Sequence, residues 1–512
     1  MRTAAPPTDP RQRLVAGSDH LPPAETTAVQ IDAAPRDAAS MVALVVFAAY
    51  VAISLAGVGG RLLTVTYPAA CLLVGLLTYV RSRTSYLAFV WWLWLLTPFV
   101  RRVFDLHYGF HPTSPLLLGP LLASGVAVLT VIRRFRMLRS SAYVPFLVAG
   151  AALAYAFLIG LIRQSVAAAT YDLLTWIAPL VFGMHLALEW RRFPVTRKAI
   201  TSNVLWGLLL TSAYAVAQFI DPPLWDRVWV VSAEMASVGA PMPFLIRVFS
   251  TLNAPGPFSV MLVFALLIGL ASPQRWRFVA LALGLVALVL TKGRSAWGAF
   301  LLGAVVMQLR QPLRSLPRQW IALLAVLMLA APVITQPRVM SVLTRRAATL
   351  RNVEQDYSFK NRVTFTRFAI SNMSANPAGW GLGYLGGASK LLRGSKAGFA
   401  LDSGPLEIYS VMGWLGGTLF MLALAAIILP IARSRRVRFE PVTSAAVSVV
   451  VALIFASFFG NIFNSVSGFF FWSAVGLATA GRTYAGATDL LQRYAGHSEL
   501  LARALPRRPT AA

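Results

Sequence analysis

The sequence is poor in charge. Only 12% of its 512 residues are Asp, Glu, Lys or Arg, well below the roughly 25% of an ordinary soluble domain, which excludes a fold solvated by water on all sides. It has one cysteine, Cys71, inside an apolar run. A single thiol excludes an intrachain disulfide and a multi-cysteine metal site, and leaves packing as its role. Acidic residues are scarce as well, 18 against 46 Lys and Arg, for a formal net charge of +28. A basic excess of that size would suit nucleic acid if it formed a continuous patch. Here it is broken into short clusters between apolar runs, a pattern that belongs to membrane topology, so no nucleic-acid partner is expected. Residues 1–38 lack both periodic apolar spacing and the short apolar core of a cleavable signal peptide. Rich in Ala, Pro, Asp and Thr, they read as a disordered tail.

What is abundant is apolar sequence, 57% of the chain. A transmembrane helix needs about 20 mostly apolar residues. Such runs fall at 40–58, 62–80, 84–100, 115–132, 142–162, 171–190, 200–219, 256–273, 276–291, 295–309, 319–336, 405–432, 442–459 and 463–480. The fold class is therefore an all-α polytopic membrane protein with fourteen spans, or twelve if short ones merge or re-enter. The expected organisation is a tail (1–38), N-terminal spans (39–336), one large hydrophilic and partly helical loop (337–404), C-terminal spans (405–481) and a second tail (482–512). Within that second tail, 485–505 is weakly amphipathic and reads either as a surface-lying helix or as a solvated one.

With both termini on one side, the short loops on that side carry 19 Lys and Arg and the opposite loops carry eight: Arg61, Arg101, Arg102, Arg163, Arg227, Arg247, Lys292 and Arg294. Positive charge collects in the cytoplasm, which puts both termini inside and the 337–404 loop outside. That loop carries ten basic residues of its own. Loops beyond about 60 residues cross largely regardless of charge, so these ten need a reason other than topology.

Ionisable groups at a membrane boundary are costly to keep without use. Arg247, just before the Pro-Gly-Pro turn of PFLIRVFSTLNAPGPFS, reads either as a ligand for an anionic headgroup or as a snorkelling arginine. Lys292 and Arg294 sit in a very short turn, TKGRSAW, against the charge bias. The fork of Arg294 suits a phosphate, and in a low-dielectric pocket its charge would stabilise a pyrophosphate leaving group. Arg362 lies in SFKNRVTFTRFAI, where apolar and basic residues alternate as on an amphipathic helix, a candidate basic lid for anionic lipid carriers. Gly381, Gly383 and Gly386 satisfy GxGxxG by letter, but no strand precedes them. A tight turn after a helix explains them better than a dinucleotide site. Asp402 and Ser403 open DSGPLEIYSVMGWLGG, either as a helix cap or with Asp402 as a carboxylate positioned to take a proton from a hydroxyl, supported by Ser403 and Glu407.

Together these motifs resemble the O-antigen ligase and polymerase superfamily over about residues 247–417. Ligases of that family end their large external loop with His, then Asn, Ser or Gln, nine residues, GxxG and Gly, Thr or Tyr. Here Asp402, Ser403, nine residues, Gly413-Trp-Leu-Gly416 and Gly417 keep that spacing, with Asp402 in the histidine's place. The resemblance implies a metal-independent, cofactor-free, inverting glycosyltransferase of the bacterial cytoplasmic membrane acting on polyprenyl-pyrophosphate-linked glycans. Asp402 would be the base, and Arg294, Arg362 and Arg247 the pyrophosphate ligands, with Ser403, Glu407 and Lys292 in support. Membrane lipid is an implied partner, and chain-length regulators or flippases are companions such an enzyme can have. The missing histidine favours a polymerase of surface repeat units over a ligase.

A transporter or flippase of lipid-linked oligosaccharides is the rival class. It predicts paired repeats and broken helices with mid-membrane charge, and the sequence shows no convincing repeat. His185 with Glu189 reads as interfacial anchoring rather than a metal pair, and Asp105, His107 and His111 as solvated loop residues.

Overall fold

The computed structural model describes residues 37–58, 60–310, 366–367, 370–371, 373–391, 401–434 and 436–504, with Met328 and Met340 besides. Among them there is no strand, and the helices follow the apolar runs. In chain order they are α1 (Ala38–Leu55), α2 (Leu63–Arg81), α3 (Arg83–Tyr108), α4 (Leu118–Gly125), α5 (Val128–Arg133), α6 (Val144–Arg163), α7 (Val166–Leu188) and α8 (Phe193–Ile220). There follow α9 (Leu224–Ser232), α10 (Pro255–Leu270), α11 (Arg277–Leu290), α12 (Arg294–Leu309), α13 (Gly404–Arg433), α14 (Pro441–Ser457) and α15 (Ser465–Ala504). Eight stretches are long and apolar enough to cross a membrane, and α10, α11, α12 and α14 are shorter apolar helices. The chain is a multi-pass membrane protein. Of the expected spans, 319–336 falls outside the described residues apart from Met328, as do Arg362 and most of the 337–404 loop.

Two departures from a plain bundle matter for the site. The 115–132 span is a short 3-10 turn followed by α4 and α5 rather than one helix. α13 is broken at Gly413, whose φ of 65° and ψ of −174° lie outside any helix. At the far end of the chain, α15 runs without interruption from its apolar half through 485–504, so that segment continues the last span.

The core is aromatic where large helices cross. Trp94 stacks on Phe469 with centroids 5.2 Å apart, and Phe182 meets the same ring at 5.1 Å. Elsewhere small residues let backbones touch. A Cβ on Gly476 of α15 would lie 2.2 Å from the Gly183 carbonyl oxygen of α7, the close approach by which membrane helices pack without a hydrophobic driving force. Cys71 is fully buried against the helix backbone at Gly119, the packing role expected of it.

Several polar residues read as loop or interface groups are buried inside the bundle. Arg101 and Arg102 are not loop charges: both lie within α3, 4% and 1% exposed. Asp105 is not solvated either, being buried 3.3 Å from Arg101 one turn away. Topological counting sees only sequence distance to an apolar run, and cannot see that an acidic partner awaits inside. Only His107 and His111 of that trio are exposed. His185 is buried too, its Nδ1 2.7 Å from the Thr130 hydroxyl, while Glu189 faces Arg134 at 3.5 Å and Arg192 at 3.8 Å. The two thus serve different partners. Among the described residues, no three His, Cys, Asp or Glu side chains gather as a metal-ligating group.

Candidate functional site

Four helices begin around one cavity of about 310 Å³. Its wall takes Gly256 and Pro257 from the first turn of α10, Ser295 and Ala296 from that of α12, and Ser467 from that of α15. Asp402 lines the same cavity two residues before α13 begins. Three of these turns are set by local chemistry: Pro255 and Pro405 are compatible with a first helical turn that needs no N–H, and Gly293 is the N-cap of α12. Helix N-termini expose N–H groups and carry a partial positive charge. Their convergence makes the cavity electropositive before any side chain is considered.

Arg247 adds a full charge to that wall. Its Nε donates to the Thr291 carbonyl at 3.0 Å and its Nη1 to the Ser237 carbonyl at 2.8 Å, so the guanidinium joins three chain segments. Lys292, at φ 55°, reaches back from the same turn and donates to the Leu245 carbonyl at 3.0 Å. Its charge therefore helps tie the α11–α12 turn to the Arg247 segment. Arg294 is the first residue of α12, partly exposed, with its neighbours Gly293 and Ser295 on the cavity wall. Asp402 is exposed. Ser403 is the N-cap residue of α13, but its side chain makes no capping bond.

Glu407 stands one layer behind. It is 8% exposed, and its Oε1 accepts from Asn461 Nδ2 at 2.6 Å, while Asn461 Oδ1 accepts from the Phe463 N–H at 2.8 Å. Asn461 itself lines the cavity. Nothing in the local sequence around GNIFN marks it, because its partner lies 54 residues away in the chain. Glu407→Leu leaves the Asn461 amide without its acceptor and is expected to cost about 1–3 kcal/mol, read as a lowered Tm in detergent. Glu407→Gln keeps a carbonyl oxygen for the same donor and should stay close to wild type.

The glycine segment 377–387 is docked backbone to backbone. Trp380 and Gly381 N–H groups donate to the Ser410 and Val411 carbonyls at 2.9 Å, and the Trp414 N–H donates to Pro377 at 2.9 Å. These are the groups that the break at Gly413 frees from α13. On the other side, Leu382 N–H donates to Ala156 at 3.0 Å, Arg163 and Gln164 donate to the Gly379 and Trp380 carbonyls, and the Gly383 N–H meets Asp172 Oδ2 at 2.8 Å. Gly381, at φ 80°, has no room for a Cβ, which would sit 2.2 Å from the Gly160 nitrogen. The turn is therefore more than a helix stop: it stitches α6, α7 and α13 together just ahead of Asp402. Asp172 is a buried carboxylate that sequence reasoning passed over, since its partner Gly383 lies 211 residues away in the chain.

A second, larger cavity of about 1150 Å³ shares Pro257 with the first. Its wall is mainly apolar and aromatic, with Phe110, Tyr171 and Trp229, and it carries the cations Arg101 and Lys390.

The structure thus brings Arg247, the Arg294 turn and Asp402 to one cavity, with Glu407 behind it, whereas Arg362 lies outside the described residues. No curated protein matches the chain. Residues 279–421 match the family model for O-antigen ligase, a stretch that includes Lys292, Arg294, Arg362, Asp402, Ser403, Glu407 and the glycines at 413, 416 and 417 but leaves Arg247 upstream. Over that stretch the polytopic bundle is similar to the O-antigen ligase family, which supports a ligase- or polymerase-type function in glycan assembly.

Proposed function

We propose that the protein is a glycosyltransferase of the outer face of the bacterial cytoplasmic membrane, and that it polymerises polyprenyl-pyrophosphate-linked repeat units of an exopolysaccharide or O-antigen. The observation that carries this is the single cavity on which helix N-termini, Arg247 and Asp402 converge, beside a large apolar cavity that shares Pro257 with it. An anionic diphosphate suits the first and the lipid part of a substrate suits the second.

The acceptor hydroxyl oxygen attacks the anomeric carbon of the donor glycan and inverts it. The bond from that carbon to the phosphate oxygen breaks, and its electron pair leaves with polyprenyl pyrophosphate. The hydroxyl proton passes to the Asp402 carboxylate. Arg294, Arg247 and Arg362 take the growing charge on the leaving group, so the reaction calls for no metal ion, and preorganised cations are the larger electrostatic contribution to such a step. Lys292 ties the turn that presents Arg294 to the Arg247 segment, and Ser403 stands beside Asp402 in support. Both termini lie in the cytoplasm, by the loop-charge asymmetry.

A polymerase is favoured over a ligase by Asp402, which replaces the histidine of the ligase pattern. The glycan of a deletion strain separates the two: single repeat units on the carrier are expected, and full-length chains stranded on the carrier would instead identify a ligase. Purified protein incubated with lipid-linked repeat units should lengthen them. Movement of those units across a vesicle bilayer without joining would overturn the enzyme assignment.

A further inference from the structure

The segment that presents Arg247 is buried and not helical. Ile246, Val248, Phe249, Ser250 and Leu252 are all 0% exposed, and Ser250 holds a left-handed φ of 53°. Within a membrane bundle such backbone survives only if protein groups satisfy its N–H and C=O. Two side chains, from α8 and α3, do so, and a third, from α9, holds those two. Gln218 Oε1 accepts from both the Phe249 and the Ser250 N–H at 2.9 Å. Arg102 Nη2 donates to the Ser250 carbonyl at 2.5 Å. Asp226 binds the two together: its Oδ1 lies 2.7 Å from Arg102 Nη1, with both side chains 0% exposed, and its Oδ2 accepts from Gln218 Nε2 at 2.6 Å and from the Tyr214 hydroxyl at 2.8 Å.

A fully buried ion pair is a poor stability device, because desolvation offsets its attraction. What this one does is fix a left-handed backbone three residues from Arg247, against the cost of about 1–3 kcal/mol that such a conformation carries. We infer that Arg102, Asp226 and Gln218 are positioning residues that hold the Arg247 guanidinium at the cavity wall for the diphosphate of the substrate. The inference rests on the proposed diphosphate role of Arg247.

Two measurements on purified full-length protein in detergent test it: hydrogen exchange over residues 246–253, and the affinity for farnesyl pyrophosphate as a short-chain probe. Arg247→Ala should weaken the probe by about tenfold, the scale of one lost charge-assisted contact. Gln218→Leu should weaken it by a similar factor and speed exchange of the 249 and 250 amides while the flanking helices stay protected. The double variant Gln218→Leu with Arg247→Ala should bind no worse than Arg247→Ala alone, since both changes remove the same contact. Tyr214→Phe removes one hydrogen bond to Asp226 and leaves the buried ion pair intact, and serves if Gln218→Leu fails to fold; it should show a smaller loss with the same non-additivity. Additive losses, or unchanged exchange with binding lost, would overturn the positioning role. Wild-type protein that ignores the probe would sink the diphosphate role of Arg247 and this inference with it, an outcome told apart by the wild-type measurement alone.

Discussion

Asp402→Ala is expected to abolish polymer formation while membrane abundance stays at the wild-type level. The carboxylate is exposed at the cavity rim, so its removal opens no cavity in the core and should leave packing untouched. General-base catalysis contributes about a hundred- to ten-thousandfold, enough to remove detectable polymer. Asp402→Asn keeps the shape and loses the proton acceptor, and should fall as far as alanine. Asp402→His is the sharper variant, because it restores the residue that the ligase pattern places there, and an imidazole can take the proton. Partial recovery with histidine and none with asparagine would fix the role as proton transfer; full activity in the alanine variant would remove Asp402 from the mechanism.

Gly413→Ala should act in the opposite manner, on the fold before the chemistry. A φ of 65° with a ψ of −174° is a region populated almost solely by glycine, and a Cβ there would sit 2.4 Å from both the Pro377 oxygen and the Ala378 carbonyl carbon. Those atoms are backbone and cannot swing aside. The conformational penalty alone is about 1–3 kcal/mol, and the overlap adds to it by forcing the 377–387 segment off α13. A large fall in Tm and in membrane abundance is expected, in contrast to the Asp402 variants. Gly381→Ala, on the other face of the same segment, should do likewise. Two variants that melted with the wild type would mean that the segment is not docked as described.

The helices were legible because lipid reduces the problem to one dimension: an apolar run of sufficient length has few alternatives, and α1, α6 and α13 lie close to where hydropathy puts them. The cavity was partly legible for a related reason. Arg247, Arg294 and Asp402 each stand at the border of an apolar run, where charge is conspicuous, and the fold brings those borders together. Asn461, Asp172 and Gln218 were not legible, since each derives its meaning from a backbone or side-chain group far away in the chain: Glu407, Gly383, and Phe249 with Ser250. The same long range explains the misreading of Arg102, whose partner Asp226 belongs to α9, whereas Arg101 and Asp105 pair one turn apart and were misread only because their burial depends on the helices around them. A charge at a run's edge looks solvated until its buried partner is known. The glycines fell between these cases, recognisable as a turn but not as a seam between three helices.

The buried pair of Arg102 and Asp226 also sets an order of events during synthesis. α3 leaves the ribosome with a guanidinium whose counter-ion belongs to α9, and whose carbonyl acceptor at Ser250 comes later still, 148 residues downstream. Until those segments arrive, that end of α3 cannot settle at its final depth in hydrocarbon without an unpaired charge. It must wait at the interface or in the company of the insertion machinery. The amino-terminal helices are therefore not an independent folding unit, and a chain truncated before Asp226 should be recognised by quality-control proteases as an unfinished membrane protein.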